Sequence, residues 1–437
     1  MADISYNRGK IAKACTREEL ELLDKKSLIN RIMQLEAHNQ QLRRIITKKS
    51  EVSERKSMNE KPRKQFDFSR CYTRHILLKF YYLGWDYHGF VEQEGTQNTI
   101  EYHLFKALKK SCCIESRENC NYHRCGRTDK GVSAFSQTIS LDIRSKLSPE
   151  NQHNLQEELP YCKLLNRLLP RDIRCVAWSP AQNNVSARFN CKYRTYKYLF
   201  PRGDLNVKVM NEATKYLLGH HDFRNFCKMD VANGVTRFDR TISTANISEH
   251  RRDFKTTSSY DICELTITSQ AFLWHQIRCI MGILFLIGQE KESPRVICDL
   301  LDTNICPRKP QYNLAHELPL CLMHCEFENQ NWFIDNHELT NVITTLQQDW
   351  TLNAIKAAMT REMLREMETI LDDDEGIRSQ STCLLQGVQT KVYQPLMKRV
   401  TCVWKTRYNI MQKSGNRILK VSKVLILHKK PYSIKNV

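Results

Sequence analysis

The sequence predicts an α+β fold built on a mainly antiparallel sheet. Strand-like segments are interleaved with helical ones, and two of the strands follow each other closely enough to form a hairpin. Neither the strict strand–helix alternation of a parallel sheet nor a short sequence repeat is visible.

The elements follow in order. Residues 16–46 read as one amphipathic helix. Ile32, Leu35, Leu42 and Ile46 fit the a and d positions of a heptad, Leu28 lies one heptad before Leu35, and Asn39 falls at an a position. A polar Asn there sets register and favours two strands, so the segment reads as a short coiled coil pairing two chains. A helix folded back on its own domain is the alternative. Residues 47–75 are a basic, Ser- and Pro-containing linker, and the KPRK run (61–64) reads first as a solvated stretch, with a phosphate contact or a nuclear address as alternatives. HILLKFYY (75–82) is strand-like. Asn98 precedes Glu101 at capping-box spacing, and Ile100, Leu104 and Leu108 share one helical face, which predicts a helix over 99–112. SQTISLDI (136–143) alternates as a strand, 155–169 is helical up to Pro170, and IRCVAW (173–178) and YRTYKYLF (193–200) are strands. Residues 207–218 are helical, 241–249 and 260–268 form a hairpin, and the apolar run from Ile277 to Ile287 is a helix. Ser293-Pro294 opens another helix, as cap and first position. Residues 338–371 are helical, DDDE (372–375) follows, and 391–437 carry Lys and Arg but no acidic residue.

The 437 residues carry 67 Lys and Arg against 48 Asp and Glu, a net charge of +19. Such an excess favours a polyanionic partner, nucleic acid or an anionic membrane surface, although a merely basic soluble protein would carry it too. Residues 1–15 lack the apolar core of a secretory signal, and the longest apolar stretch, 272–288, contains His275, Gln276 and Arg278 and is too short and polar to span a bilayer. The expectation is therefore no membrane and a reducing compartment, where the 18 cysteines are thiols. The densest group, Cys112, Cys113, Cys120, His123 and Cys125, fits no common zinc spacing.

Glycine is scarce, 14 in all, and five crowd between Gly84 and Gly131, which marks tight loops where sites tend to lie. Within that region HRCGRTDKGVSAFSQTISLDI (123–143) places Asp129 between Arg127 and Lys130 in a Gly-flanked turn before a strand. Two adjacent cations keep a carboxylate ionised, and an ionised Asp suits nucleophilic catalysis better than general-acid work. On spacing alone an Asp in a turn with surface ion pairs explains the same residues.

CGRTDKGVSAFSQ (125–137) resembles the Gly-Arg-Thr-Asp-x-Gly-Val loop of the TruA family of pseudouridine synthases, without gaps. FYYLGWDYHGFVEQEGTQNTIE (80–101), SARFNCKYRTYKYLF (186–200), GHHDFRNFC (219–227) and FLWHQIRCIMGILFLIG (272–288) resemble further segments of that family in the same order. KPQYNLAHELPLCLMHCEF (309–327), YQPLMKR (393–399) and the N-terminal heptads resemble its eukaryotic branch, which acts on positions 38 and 39 of the tRNA anticodon stem-loop. The resemblance covers about 72–330. Ser133 stands where many members have His and Cys125 where many have Ala, positions without chemistry in the family. The chain after 399 resembles nothing in it.

The resemblance implies a pseudouridine synthase fold, two related halves around a central sheet with a basic cleft between them. It implies Asp129 as nucleophile, Arg127 displacing the target uridine from its stack, Tyr196 stacking on the flipped base, and Arg278 paired with Asp129. It also implies tRNA as partner and a homodimer. The isomerisation needs neither cofactor nor metal. His275, three residues before Arg278, invites a His–Asp pair, but a structural role is the better reading. The expected organisation is a coiled-coil helix (1–50), a linker (51–72), two catalytic halves (73–190 and 191–330) and a C-terminal extension with a basic tail (331–437), in a protein of the cytoplasm and nucleus. The rivals are a catalytically silent RNA-binding protein of the same fold and a zinc-dependent nucleic-acid factor built on Cys112–Cys125.

Overall fold

The computed structural model describes residues 24, 27–30, 32–37, 66–228, 237–249, 258–371, 383–386 and 392–402. The chain divides into two compact units, 1–67 and 68–437. In the first, residues 27–30 and 32–37 are helical and leave Ile29, Ile32, Met33 and Leu35 exposed. The rest of the expected coiled coil, the acidic run 372–375 and the tail beyond 402 lie outside the described residues.

The second unit is organised by a nine-stranded sheet. Its strands are β1 (Tyr72–Tyr82), β2 (His123–Arg124), β3 (Ser133–Ser145), β4 (Ile173–Pro180), β5 (Tyr193–Pro201), β6 (Gly219–Asp222), β7 (Asp239–Glu249) and β8 (Ile262–Ser269), with β10 (Leu320–Glu326). They run in the order β4-β1-β3-β10-β5-β8-β7-β6, and β2 pairs with β3. Among these pairings only β10 with β3 is parallel. Strands from 72–180 thus form one side and strands from 193–269 the other, and β10 joins them. β9 (Leu314–Ala315) and β11 (Leu385–Gln386) make a separate small ladder.

Burial explains the sheet. Ile76, Leu77 and Leu78 are successive and fully buried, so both faces of β1 are covered. The helices are α1 (Ile100–Lys110), α2 (Tyr161–Asn166), α3 (Val207–Thr214), α4 (Gln276–Gly288), α5 (Val296–Leu301) and α6 (Asn336–Leu371). α4 is buried almost all round, as its apolar sequence requires. α6 runs from the end of α2, where Glu338 accepts from Asn166, to the β7–β8 connection, where Arg361 stacks on Tyr260. Among the described residues no helix is long and apolar enough to cross a membrane.

Several boundaries differ from the sequence expectation. The cap of α1 is Thr99, whose hydroxyl accepts from Tyr102 N, while Asn98 turns away and donates to the Asp86 carbonyl. The helix expected over 155–169 is two pieces, a single 3-10 turn at Leu155–Glu157 and α2, because Pro160 stands between them without a donor. The 207–218 helix tightens to a 3-10 turn after Thr214. α5 begins at Val296 rather than at Pro294, with Val296 N donating to the Ser293 carbonyl.

Candidate active site

Asp129 sits in the loop between β2 and β3, and side chains from the sheet beneath fix that loop. Buried Gln137 brackets Gly126, accepting from its N–H at 3.3 Å and donating to its carbonyl at 3.2 Å. Gln137 also donates to the Tyr82 hydroxyl, which lies 2.7 Å from Thr128 Oγ1. Phe90 N donates to the Thr128 carbonyl and Gly131 N to the Tyr87 carbonyl. Two glycines are required. A Cβ on Gly84 would lie 2.0 Å from the Val132 carbonyl oxygen, and Gly131 has φ +79° with Glu317 packed against it.

The opposite wall is the start of α4. Leu273, Trp274, His275 and Gln276 form a tight turn in which Leu273 N donates to Gln276 Oε1 at 2.7 Å. His275 is held left-handed at φ 59°, ψ 14°, a conformation costing a side-chain-bearing residue roughly 1–2 kcal/mol. The turn delivers two neighbouring side chains to one carboxylate. Trp274 Nε1 donates to Asp129 Oδ1 at 3.1 Å, and His275 Nε2 lies 3.3 Å from Oδ2. Burial and the fields of Arg278, Lys228 and Lys309 push the His275 imidazole down to about 3, so it is neutral at physiological pH. A neutral ring makes the 3.3 Å approach to Oδ2 a contact rather than an ion pair. The carboxylate also lies at the N-terminal end of α4, where the helix dipole favours negative charge.

Two expectations are corrected. Arg278 does not pair with Asp129. Its guanidinium donates to Glu317 at 2.9 Å, to Gln386 at 2.6 Å and to the Ala315 carbonyl at 2.8 Å. It acts on Asp129 only through its field, and through Glu317, which Gln386 also contacts and which packs on Gly131. Nor is Asp129 held at an ordinary carboxylate value or below by Arg127 and Lys130. Burial raises it, outweighing the Trp274 hydrogen bond and the fields of Arg278 and Lys228. Gln386 belongs to the segment expected to be a C-terminal extension, yet it reaches the site, and nearby Leu396 is fully buried.

Asp129 lies in a cleft of about 1530 Å³, beyond the roughly 300–1,000 Å³ of small-molecule pockets. Arg127 lies exposed at its rim, and Tyr196 lines it while only 8% exposed, packed edge-on against Phe272 at 5.2 Å between centroids. Tyr196 shares its face of β5 with buried Arg194, Tyr198 and Phe200, as period two requires. Arg117 and Arg124 in the same wall are oriented by buried Glu101, at 2.9 and 2.6 Å. Phe189, 70% exposed with Arg188 stacked on it, and Trp274 offer aromatic surface in the cleft. Sequence reasoning quoted the segments holding Phe189 and Trp274 without giving either residue a role. The Cys112–Cys125 group does not converge on one point; Cys125 instead meets Cys191 and Cys325.

Comparison with known proteins places the chain in a family. Residues 213–328 match the family model described as tRNA pseudouridine synthase. The chain is 42% identical to the human tRNA pseudouridine(38/39) synthase over 86% of its own length and 85% of that protein. It is 41% identical to the Bos taurus protein of the same name, covering 88% and 86%. The Saccharomyces cerevisiae protein of that name is 39% identical, covering 77% and 78%. A protein with these relatives is a pseudouridine synthase, an isomerase. The chain belongs to the TruA family of these enzymes.

Proposed function

We propose that this protein converts uridine to pseudouridine at positions 38 and 39 of the tRNA anticodon stem-loop, with Asp129 as nucleophile on a base swung out of its stack. The names of the relatives support the substrate and positions. The observation that carries the chemistry is the seating of Asp129: Trp274 donates to one oxygen and His275 lies 3.3 Å from the other, while the side chain stays 30% open to a basic cleft. Turnover breaks the uracil–ribose bond, turns the ring in the pocket and joins C5 to C1′, with loss of the C5 proton. The carboxylate attacks the sugar or the ring. Extruding the base costs a few kcal/mol, which stacking on Tyr196 offsets by roughly 1–3 kcal/mol. Arg127, exposed at the rim, helps displace the uridine from its stack. Arg278 contributes by holding Glu317 beneath the loop and by its field at Asp129.

Two chains pair in this reading, through the 16–46 heptads and through the catalytic domain; exposed Ile32 and Leu35 support the first contact. Deleting residues 1–50 is expected to lower the dimer fraction, and an unchanged solution mass removes the coiled coil from the interface. This reading places the protein in the cytoplasm and nucleus. Mapping pseudouridine in unmodified tRNA treated with the purified enzyme tests the substrate. Modification confined to 38 and 39 is expected. Tight tRNA binding with no modified position would favour a silent RNA-binding protein of the same fold.

A further inference from the structure

Cys125, Cys191 and Cys325 come from three distant places: the start of the Asp129 loop, the approach to β5, and β10. Their sulfurs all lie within 4.8 Å of one another, with 3.3 Å between those of Cys125 and Cys325. None is more than 4% exposed, yet Cys125 and Cys191 form part of the cleft wall. Arg194 lies beside them, itself only 8% exposed. Its guanidinium donates to the carbonyls of Cys125, Arg188 and Gln270 and, among the described residues, to no carboxylate. A buried guanidinium with only carbonyl partners is a charge awaiting an anion.

We propose that Cys125, Cys191 and Cys325 form a three-thiolate site for a thiophilic metal ion, zinc(II) foremost, which pins the Asp129 loop to β5 and β10. Metal–sulfur bonds of about 2.3 Å to one ion place the sulfurs roughly 4 Å apart, inside the span observed. Three thiolates, one divalent ion and the Arg194 guanidinium sum to zero charge. Binding breaks the remaining S–H bonds and forms three metal–sulfur bonds; the protons go to solvent and no electron moves. Among the described residues no His, Cys, Asp or Glu supplies a fourth ligand, so a water from the cleft completes the coordination. The ion takes no part in the isomerisation. It fixes Cys125, four residues before Asp129, and so the stem of the loop.

The test uses the full chain, stripped of metal under reducing conditions and titrated with cobalt(II), then zinc. One equivalent of cobalt giving a thiolate-to-metal charge-transfer band, displaced by one equivalent of zinc, is expected. Cys191→Ser and Cys325→Ser should each lose the band and weaken zinc retention about 100-fold or more, while Cys298→Ser, at an exposed position, keeps both. The wild-type titration stands even if a variant fails to fold. Absence of the band in wild type, equal zinc retention in the Cys191 variant, or a Cys125–Cys325 disulfide occupying the site would each overturn the proposal.

Discussion

Residues 125–132 form neither helix nor strand, while 336–371 form one helix of 36 residues. The loop is nevertheless the more tightly specified region. Gln137, Tyr82 and backbone from residues 87–90 fix its carbonyls and amides, Trp274 donates to its one carboxylate, and His275 packs beside it. The helix buries only Glu338 and Val342, and leaves Trp350, Met363 and Ile370 at 72%, 62% and 75% exposure. Local regularity follows from propensity and backbone hydrogen bonds, whereas a unique side-chain geometry needs partners from distant parts of the chain. Damage to the partners of the loop should therefore cost far more than damage along the helix.

The largest effect on the fold is expected at Gly84. The Gly84→Ala methyl would meet the Val132 carbonyl at 2.0 Å, which forces the loop away from β1. A loss of about 3 kcal/mol in chemical denaturation is expected, with turnover falling in parallel. Full stability in that variant would show that the loop is free to shift, and the contrast with the helix would fail.

A smaller, sharper effect is expected from Trp274→Phe, which removes the donor to Oδ1. That hydrogen bond favours the ionised carboxylate, so its loss raises a value that burial has already raised. In the proposed mechanism ionised Asp129 is the active form, so the acid limb of the rate–pH profile should move to higher pH. A limb that stays in place would separate Trp274 from the titration. The smallest effect belongs to α6: Trp350→Ala or Met363→Ser should change single-chain stability by less than about 0.5 kcal/mol. A larger change would mean that the helix is packed as tightly as the loop.

This contrast also explains what could be read in advance. The strands at 72–82, 133–145 and 193–201 and the Asp129 loop are contiguous segments whose alternation or motif is carried by the residues themselves. Trp274 meets Asp129 across 145 residues and Cys125 meets Cys325 across 200, and nothing local marks either pairing. The assignment of Arg278 to Asp129 failed for the same reason. A buried Arg announces that it needs a partner, but Glu317 and Gln386 are brought to it only by the β9–β11 ladder. At α1 the cap moved by one residue, since Asn98 and Thr99 are both competent caps and tertiary contact chose between them.

The most direct test of the central claim is single-turnover tritium release from C5-labelled tRNA by wild type and Asp129→Asn, with tRNA affinity and melting temperature measured on the same samples. Loss of release by roughly 10⁴-fold or more is expected, with affinity nearly unchanged. The folded state raises the Asp129 value, so the ionised carboxylate costs stability above that value, and the cost disappears as pH falls below the unfolded one. Asp129→Asn should therefore melt at the same temperature as wild type, or higher, at neutral pH. Release at near wild-type rate by Asp129→Asn would contradict the account, because the nucleophile would then lie elsewhere in the cleft.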